Sequence, residues 1–214
     1  MTYINMSGLE LIHKIVVQNE RDFTKIRIPS GFKIEGDEEK ALIGHLTEKH
    51  KLYCQNPLNF SYACLQGIEA RNLLLPWLEA AETDFTGARL MGCQLTYGNF
   101  TKAIFTEANL SPGPNKRITS FAFSKLPEAN FEKANLRDVY FGGVDLSGSN
   151  FRSSYLHSAD FTKSTLCLIL GLESAIDVEY AKIEAVTVTE KEKKLIIGIR
   201  GRQMFSRIIN SHLN

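Results

Sequence analysis

Histidines, cysteines and serines are the side chains in this sequence that could do chemistry. A metal ion needs three or four ligands brought to one point. His45 and His50 stand five apart with no third ligand at useful spacing, while His13 and His212 fall in stretches that read as terminal helices. His157 falls on a position that reads as solvent-facing. A reactive cysteine needs a neighbouring group that favours its thiolate. Cys64 and Cys167 lie beside leucines and are expected to point outward with no such neighbour, and Cys93 is expected inward as a compact apolar residue. Cys54, Cys64, Cys93 and Cys167 show no C-x-x-C spacing. No G-x-S-x-G elbow, G-x-x-x-x-G-K-[ST] loop or G-x-G-x-x-G turn is present. The expectation is a chain with no catalytic residue, no metal and no cofactor, and so not an enzyme.

What the rest of the chain builds must therefore be sought in its shape. It has 214 residues, 43% hydrophobic and 23% charged, which rules out a disordered or fibrous chain. Its 25 Lys+Arg against 24 Asp+Glu give a formal charge of +1, without the positive surplus of a general nucleic-acid binder. Unbroken apolar runs are only a few residues long, as in Leu73-Leu74-Leu75, so nothing spans a bilayer and no membrane contact is expected. No basic stretch followed by an apolar core opens the sequence, and the expected location is the cytoplasm, with free thiols.

A five-residue period runs through the middle of the chain. Stepping from Phe60 to Leu110, and again from Phe121 to Leu166, Leu or Phe occupies 19 of 21 central positions, the exceptions being Ala70 and Ala80. Small residues recur two before the centre, as at Ala88, Cys93, Ala103, Ala129 and Ser149. Neither a helix nor an alternating strand has this period. It suits a square coil whose every side is one short strand and turn, with the centre and the small residue pointing inward. Positions 20 apart then stack. With Gly113 to Ile118 taken as a six-residue insertion at a corner, one face holds Leu65, Phe85, Phe105, Phe131 and Phe151, and the opposite face holds Leu75, Leu95, Phe121, Phe141 and Phe161. Phenylalanines thus sort onto two opposite faces, at the ~4.8 Å spacing of neighbouring strands.

Ala129-Asn130-Phe131-Glu132-Lys133, Ala134-Asn135-Leu136-Arg137-Asp138 and Ala159-Asp160-Phe161-Thr162-Lys163 resemble the A(D/N)LXX unit of the pentapeptide-repeat family. The resemblance implies an all-β solenoid, a right-handed quadrilateral β-helix. It says little of function, because the repeat encodes a shape.

The ends carry the individuality. Residues 1–57 read as an N-terminal segment: a helix over Gly8 to Gln18 with Leu9, Ile12, Ile15 and Val16 on its apolar side, a partial first coil at Arg21 to Ile28, and an inserted helix over Asp37 to Gln55. The opening around Glu20-Arg21-Asp22-Phe23 is similar to cyanobacterial pentapeptide-repeat proteins, including those of heterocyst differentiation. Residues 58–168 are the repeat coil, interrupted by the loop 113–118. Residues 169–214 read as an irregular last coil and a C-terminal helix from Glu190, capped by Thr189 with Glu192 three positions on. Its expected stripe is Ile197, Met204, Phe205, Ile208 and Ile209, and Gly198 and Gly201 are places where it can break. Helical caps at both ends are expected to cover the solenoid's open strand edges. The C-terminal helix either caps only, or also pairs two chains into a homodimer, as in family members that shield type II topoisomerases.

Pro112, Gly113, Pro114, Asn115, Lys116 and Arg117 interrupt the register as an exposed turn, the kind of irregular loop where binding concentrates. They are the candidate partner-binding residues, set against a neutral insertion. Two function classes follow. One is a protein-interaction scaffold or regulatory adaptor, its protein partner unidentified. The other, implied by the family, is a DNA-mimicking inhibitor of DNA gyrase. Between Leu58 and Leu168 there are 10 acidic and 10 basic residues, which suits a polyanion mimic poorly.

Overall fold

The computed structural model describes residues 2–18, 20–34, 42, 55 and 57–211, with the side chains of Val16, Arg200 and 202–211 left aside. His45, His50, Cys54, His212 and the inserted helix expected over Asp37 to Gln55, Leu42 and Gln55 apart, lie outside the described residues.

Each five-residue step makes one side of a square. The central carbonyl accepts from the amide three residues on, as in Ala88 N–H to Phe85 (2.9 Å) and Ala134 N–H to Phe131 (3.0 Å). The second turn residue takes a left-handed φ, +65° at Gly87 and +57° at Lys133, as a type II turn requires. The Asn or Asp before the centre has a mechanical role. Asn59, Asp84, Asn99, Asn109, Asn130, Asp145, Asn150 and Asp160 each accept the amide two residues on, at 2.8 to 3.2 Å. These bonds tie each strand to its turn.

Successive coils pair as parallel strands. Partners stand 20 apart, as at Arg89 and Asn109, and 26 apart where the loop intervenes, as at Gln94 and Ser120. Four such pairs per coil define four faces. Face 1 is centred on Leu65, Phe85, Phe105, Phe131 and Phe151; face 2 on Ala70, Leu90, Leu110, Leu136 and Leu156. Face 3 is centred on Leu75, Leu95, Phe121, Phe141 and Phe161; face 4 on Phe60, Ala80, Phe100, Leu126, Leu146 and Leu166. The phenylalanines of face 1 stack from Phe85 through Phe105 and Phe131 to Phe151 at 5.0–5.4 Å, and Phe121, Phe141 and Phe161 of face 3 at 5.1–5.5 Å. The two columns meet edge to face along the axis, as at Phe131–Phe141, 5.8 Å and 78°, an arrangement that the ring quadrupoles favour. Buried hydroxyls at the small positions donate to carbonyls, for example Thr83 to Phe60 and Ser124 to Leu95, both 2.7 Å, which removes the cost of burying them.

Pairing reaches beyond the regular repeat. Asp22 pairs with Asn59, Arg27 with Cys64 and Lys33 with Glu69, which makes residues 21–34 a preceding coil. A two-residue strand β1 (Ile4–Asn5) adds to β2 (Ile26–Arg27) of that coil and occupies its open edge. At the other end an irregular coil follows Leu166. Asn150 pairs with Leu170, Tyr155 with Ile176, Asp160 with Lys182 and Thr165 with Thr187, spacings of 20, 21, 22 and 22. The 3₁₀ turns Leu172–Ser174 and Val178–Tyr180 each absorb one extra residue, which lengthens two sides of this coil from five residues to six.

Helix α1 (Gly8–Val16) starts at Ser7, whose hydroxyl accepts from Glu10 N–H at 3.1 Å, as an N-cap does. It buries Leu11, Ile12 and Ile15 against the first coils, whereas Leu9 is 59% exposed and off the expected stripe. Helix α2 (Glu190–Ser211) runs unbroken through Gly198 and Gly201. Glu192, Ile196 and Ile199 face inward at helical spacing. Ile197, 62% exposed, therefore points out, against expectation; the side chains of Met204, Phe205, Ile208 and Ile209 lie outside the described residues. The Thr189 amide and hydroxyl both donate to the Glu192 carboxylate. Burial pushes the Glu192 carboxyl up, but those bonds and its own backbone amide outweigh it and hold it below the usual range.

Candidate functional site

The loop is a folded turn. Gly113 N–H donates to Arg117 at 2.8 Å and Lys116 N–H to Gly113 at 2.9 Å, with Lys116 at φ +58°. Below it, Arg117 Nη1 donates to the Asn72 carbonyl at 3.3 Å and Gln94 Nε2 to the Ile118 carbonyl at 2.8 Å. The Thr119 hydroxyl accepts from Gly92 N–H at 2.9 Å, closing the loop's base. Gly92 and Gly113 leave room for the Asn72 side chain, whose Oδ1 is buried between them with no hydrogen-bond partner. Gly113 is buried and Pro112 half-buried, while Pro114, Asn115, Lys116, Arg117 and Ile118 are exposed. Neither Lys116 nor Arg117 has an acidic partner among the described residues.

The loop stands at the corner between faces 2 and 3. At the next corner, between faces 3 and 4, Trp77, Tyr97 and Phe123 form a stacked ridge with centroids 5.6 and 5.4 Å apart and planes 17° apart. Tyr97 is 52% and Phe123 60% exposed. The five-residue reading missed this ridge, because its members are 20 and 26 apart; stepping through outward positions by whole coils finds it.

Gly142 and Gly143 belong to the same surface, and Gly143 takes the left-handed φ of its turn, +68°. Trp77, Tyr97 and Phe123 hold the corner position of Gly143 at φ +58° to +59°, so the backbone there accepts side chains. Space is tight at both: a Cβ on Gly142 would overlap the Tyr140 ring, and one on Gly143 would lie 2.9 Å from Phe123.

Charge is distributed unevenly. From Leu74 to Gly143, face 3 and its far corner offer twelve outward positions over four coils, none of them charged. The same four levels hold four charges on face 1 (Asp84, Glu107, Glu132, Lys133), five on face 2 (Glu69, Arg71, Arg89, Arg137, Asp138) and six on face 4 (Glu79, Glu82, Lys102, Lys125, Glu128, Asp145). Each of those faces mixes signs.

Among the described residues no three His, Cys, Asp or Glu side chains are placed to hold a metal ion. Cys93 is buried and its thiol is pushed up to about 12 by that burial, so it is no nucleophile. Cys64, expected outward, is buried between Arg27 and Asp84 because the preceding coil covers it. No helix of the described residues is long and apolar enough to cross a membrane.

The family model for pentapeptide repeats matches residues 80–111, 119–152 and 129–166, in eight copies. No curated protein matches the sequence. Among solved structures, the chain is similar to HetL, a pentapeptide repeat protein involved in heterocyst differentiation regulation from the cyanobacterium Nostoc sp. strain PCC 7120. Identity is 16%, over 85% of this chain and 94% of that one, with a TM-score of 0.24. It is also similar to full-length QnrB1, a plasmid-mediated fluoroquinolone resistance protein, at 20% identity over 84% and 83% of the two chains, TM-score 0.28. A pentapeptide repeat protein from the Arabidopsis thaliana thylakoid lumen matches at 17% identity over 63% and 74%, TM-score 0.26. Residues 80–111 and 119–166 thus carry pentapeptide repeats, and each coil there is built as that repeat dictates.

Proposed function

We propose that this chain is a non-enzymatic interaction scaffold, a regulatory adaptor of the cytoplasm. It is a right-handed quadrilateral rod with α1 and α2 capping its ends, and it binds a partner protein through its coil faces and the loop 112–117. The observation that carries this reading is the loop's construction. Hydrogen bonds from Gly113, Lys116 and Arg117 and to the Ile118 carbonyl hold a protruding turn in one shape, with Pro114, Asn115, Lys116 and Arg117 outward. A preorganised turn on a rigid support loses little entropy on binding. The interior spends its side chains on packing, so the surface is what is left to act.

The mixed signs of faces 1, 2 and 4 weigh against mimicry of a polyanion, whose charge is of one sign along its length. Cation–anion contacts between coils, Lys102–Glu128 at 3.8 Å and Lys133–Glu107 at 3.6 Å, neutralise the field further. The test is capture from host lysate with the intact chain and with a variant carrying Asn115→Ala, Lys116→Ala and Arg117→Ala. A protein held by the first and lost from the second is expected; equal capture sinks the loop's role. Gyrase supercoiling is expected to proceed at an unchanged rate.

A further inference from the structure

We infer that face 3 is where two copies of this chain pair, side by side and pointing the same way, about a two-fold axis parallel to the rod. This rests on the reading of faces and loop as protein-binding surfaces, and names a second copy as the occupant of one of them.

Three observations carry it. A two-fold contact sets a patch against itself, so charges of one sign confined to the patch meet their own kind. Face 3 is the face with no charge on its outward positions over four coils, where the other three hold four, five and six. Its composition is that of an interface centre, depleted of charge and holding Trp77, Tyr97, Phe123 and Tyr140. The third observation fixes the direction. The face's two long edges are unlike: one is the aromatic ridge, the other the loop with Lys116 and Arg117, cations without an acidic partner among the described residues. Rotation about an axis along the rod lays the ridge of each copy against the loop-bearing corner of the other. The levels match: Arg117 leaves the chain three residues before Ser120, on the coil of Phe123, and its guanidinium reaches the Asn72 carbonyl, on the coil of Trp77. Guanidinium and ammonium groups then meet aromatic rings twice over, a favourable pairing. A two-fold axis across the rod sets ridge on ridge, but it brings the cationic loops against each other and leaves no cation on a ring.

The test is sedimentation equilibrium of the full chain from 1 to 100 µM. The wild type is expected to be a dimer. Phe123→Glu is expected to raise the dissociation constant by about 30-fold or more, as loss of a central aromatic does. That variant keeps the fold, since glutamates at Glu82, Glu107 and Glu128 hold the same corner position at φ +54° to +58°; an unchanged melting temperature checks it. Lys116→Ala with Arg117→Ala is expected to weaken pairing by about 5-fold. Ile197→Glu, on the outward side of α2, is expected to leave the dimer intact. Oxidised Gln94→Cys and Tyr140→Cys, two coil levels apart on face 3, are each expected to give a covalent dimer, because a parallel axis brings every level onto its own copy. A monomeric wild type at 100 µM overturns the proposal, as does a Phe123→Glu chain that still pairs, or a dimer lost by Ile197→Glu. Failure of the variant pair Gln94→Cys and Tyr140→Cys to cross-link overturns the parallel direction. A monomer that still captures a protein in a loop-dependent way ends this inference and leaves the scaffold reading standing.

Discussion

The first coils and the later ones follow the same backbone rule and fill it differently. From Phe100 to Phe161 the axis is packed by phenylalanines at no more than 1% exposure, stacked along each column and edge to face between them. In the first coils the central positions include Ala70 and Ala80, and a cavity of about 60 Å³ remains, lined by Leu11, Ile12 and Ile15 of α1 together with Ala70, Leu75 and Leu90. The repeat thus fixes the coil and leaves the filling free. Where the centre is small, a side element must supply the missing carbon, and α1 does so incompletely. The largest test of this contrast is Phe141→Ala. Phe141 stacks on Phe121 at 5.5 Å and Phe161 at 5.1 Å and meets Phe131 and Phe151 edge-on, so its loss opens a cavity bounded by four rings. A cost of about 3–5 kcal/mol in urea unfolding is expected; a parent-like curve breaks the contrast.

Adding carbon should have opposite signs in the two regions. Ala134 is fully buried between phenylalanine-packed coils. Ala134→Leu is expected to cost about 1–3 kcal/mol through overpacking. Ala70 lines the cavity, so Ala70→Val places its added methyls beside an existing void. That change is expected to stabilise by about 1 kcal/mol, since each filled part of a void recovers lost contact. Should both variants shift the melting temperature the same way, the regions do not differ in packing.

The same division explains what was legible in the sequence. The coil, its faces and the six-residue insertion follow from local rules repeated many times: a turn needs its Asn or Asp, and an axis needs its Leu or Phe. The helix phases were not legible, because Leu9 and Ile197 are apolar by type and are turned outward by one-off packing of α1 and α2 on the coil ends. Cys64 is buried for the same kind of reason, a neighbour 37 residues away at Arg27. Of the candidate site, the loop announced itself by Pro112-Gly113-Pro114. The ridge did not, because stacking between coils leaves no mark at short range.

The two ends also differ in chemistry, which a pH titration separates. The α1 end is closed by aliphatic carbon; the α2 end carries Glu192, buried and bonded to Thr189, with a carboxyl held below its ordinary range. A carboxyl depressed in the folded state contributes stability above its unfolded pKa, and that contribution is lost as pH falls through the lower folded value. Glu192→Gln is expected to cost about 1 kcal/mol near neutrality, the worth of a helix cap. The difference from the wild type should shrink on acidification below the usual carboxylate range, as the wild-type carboxyl protonates. A gap that stays constant down to pH 2 removes the ionised cap from the account of this end.

The smallest expected effect asks whether the contrast lives in the interior alone. Arg137 lies on face 2 among the well-packed coils, half-exposed, 3.9 Å from Asp177 and 5.3 Å from the Tyr155 ring centroid. Water competes for both contacts, so Arg137→Ala is expected to change stability by less than about 0.5 kcal/mol. Chemical unfolding of that variant beside Phe141→Ala compares two residues four positions apart, one outside the square and one within it. A cost for Arg137 approaching that for Phe141 means that surface contacts between coils, and not the rings on the axis, hold this region together.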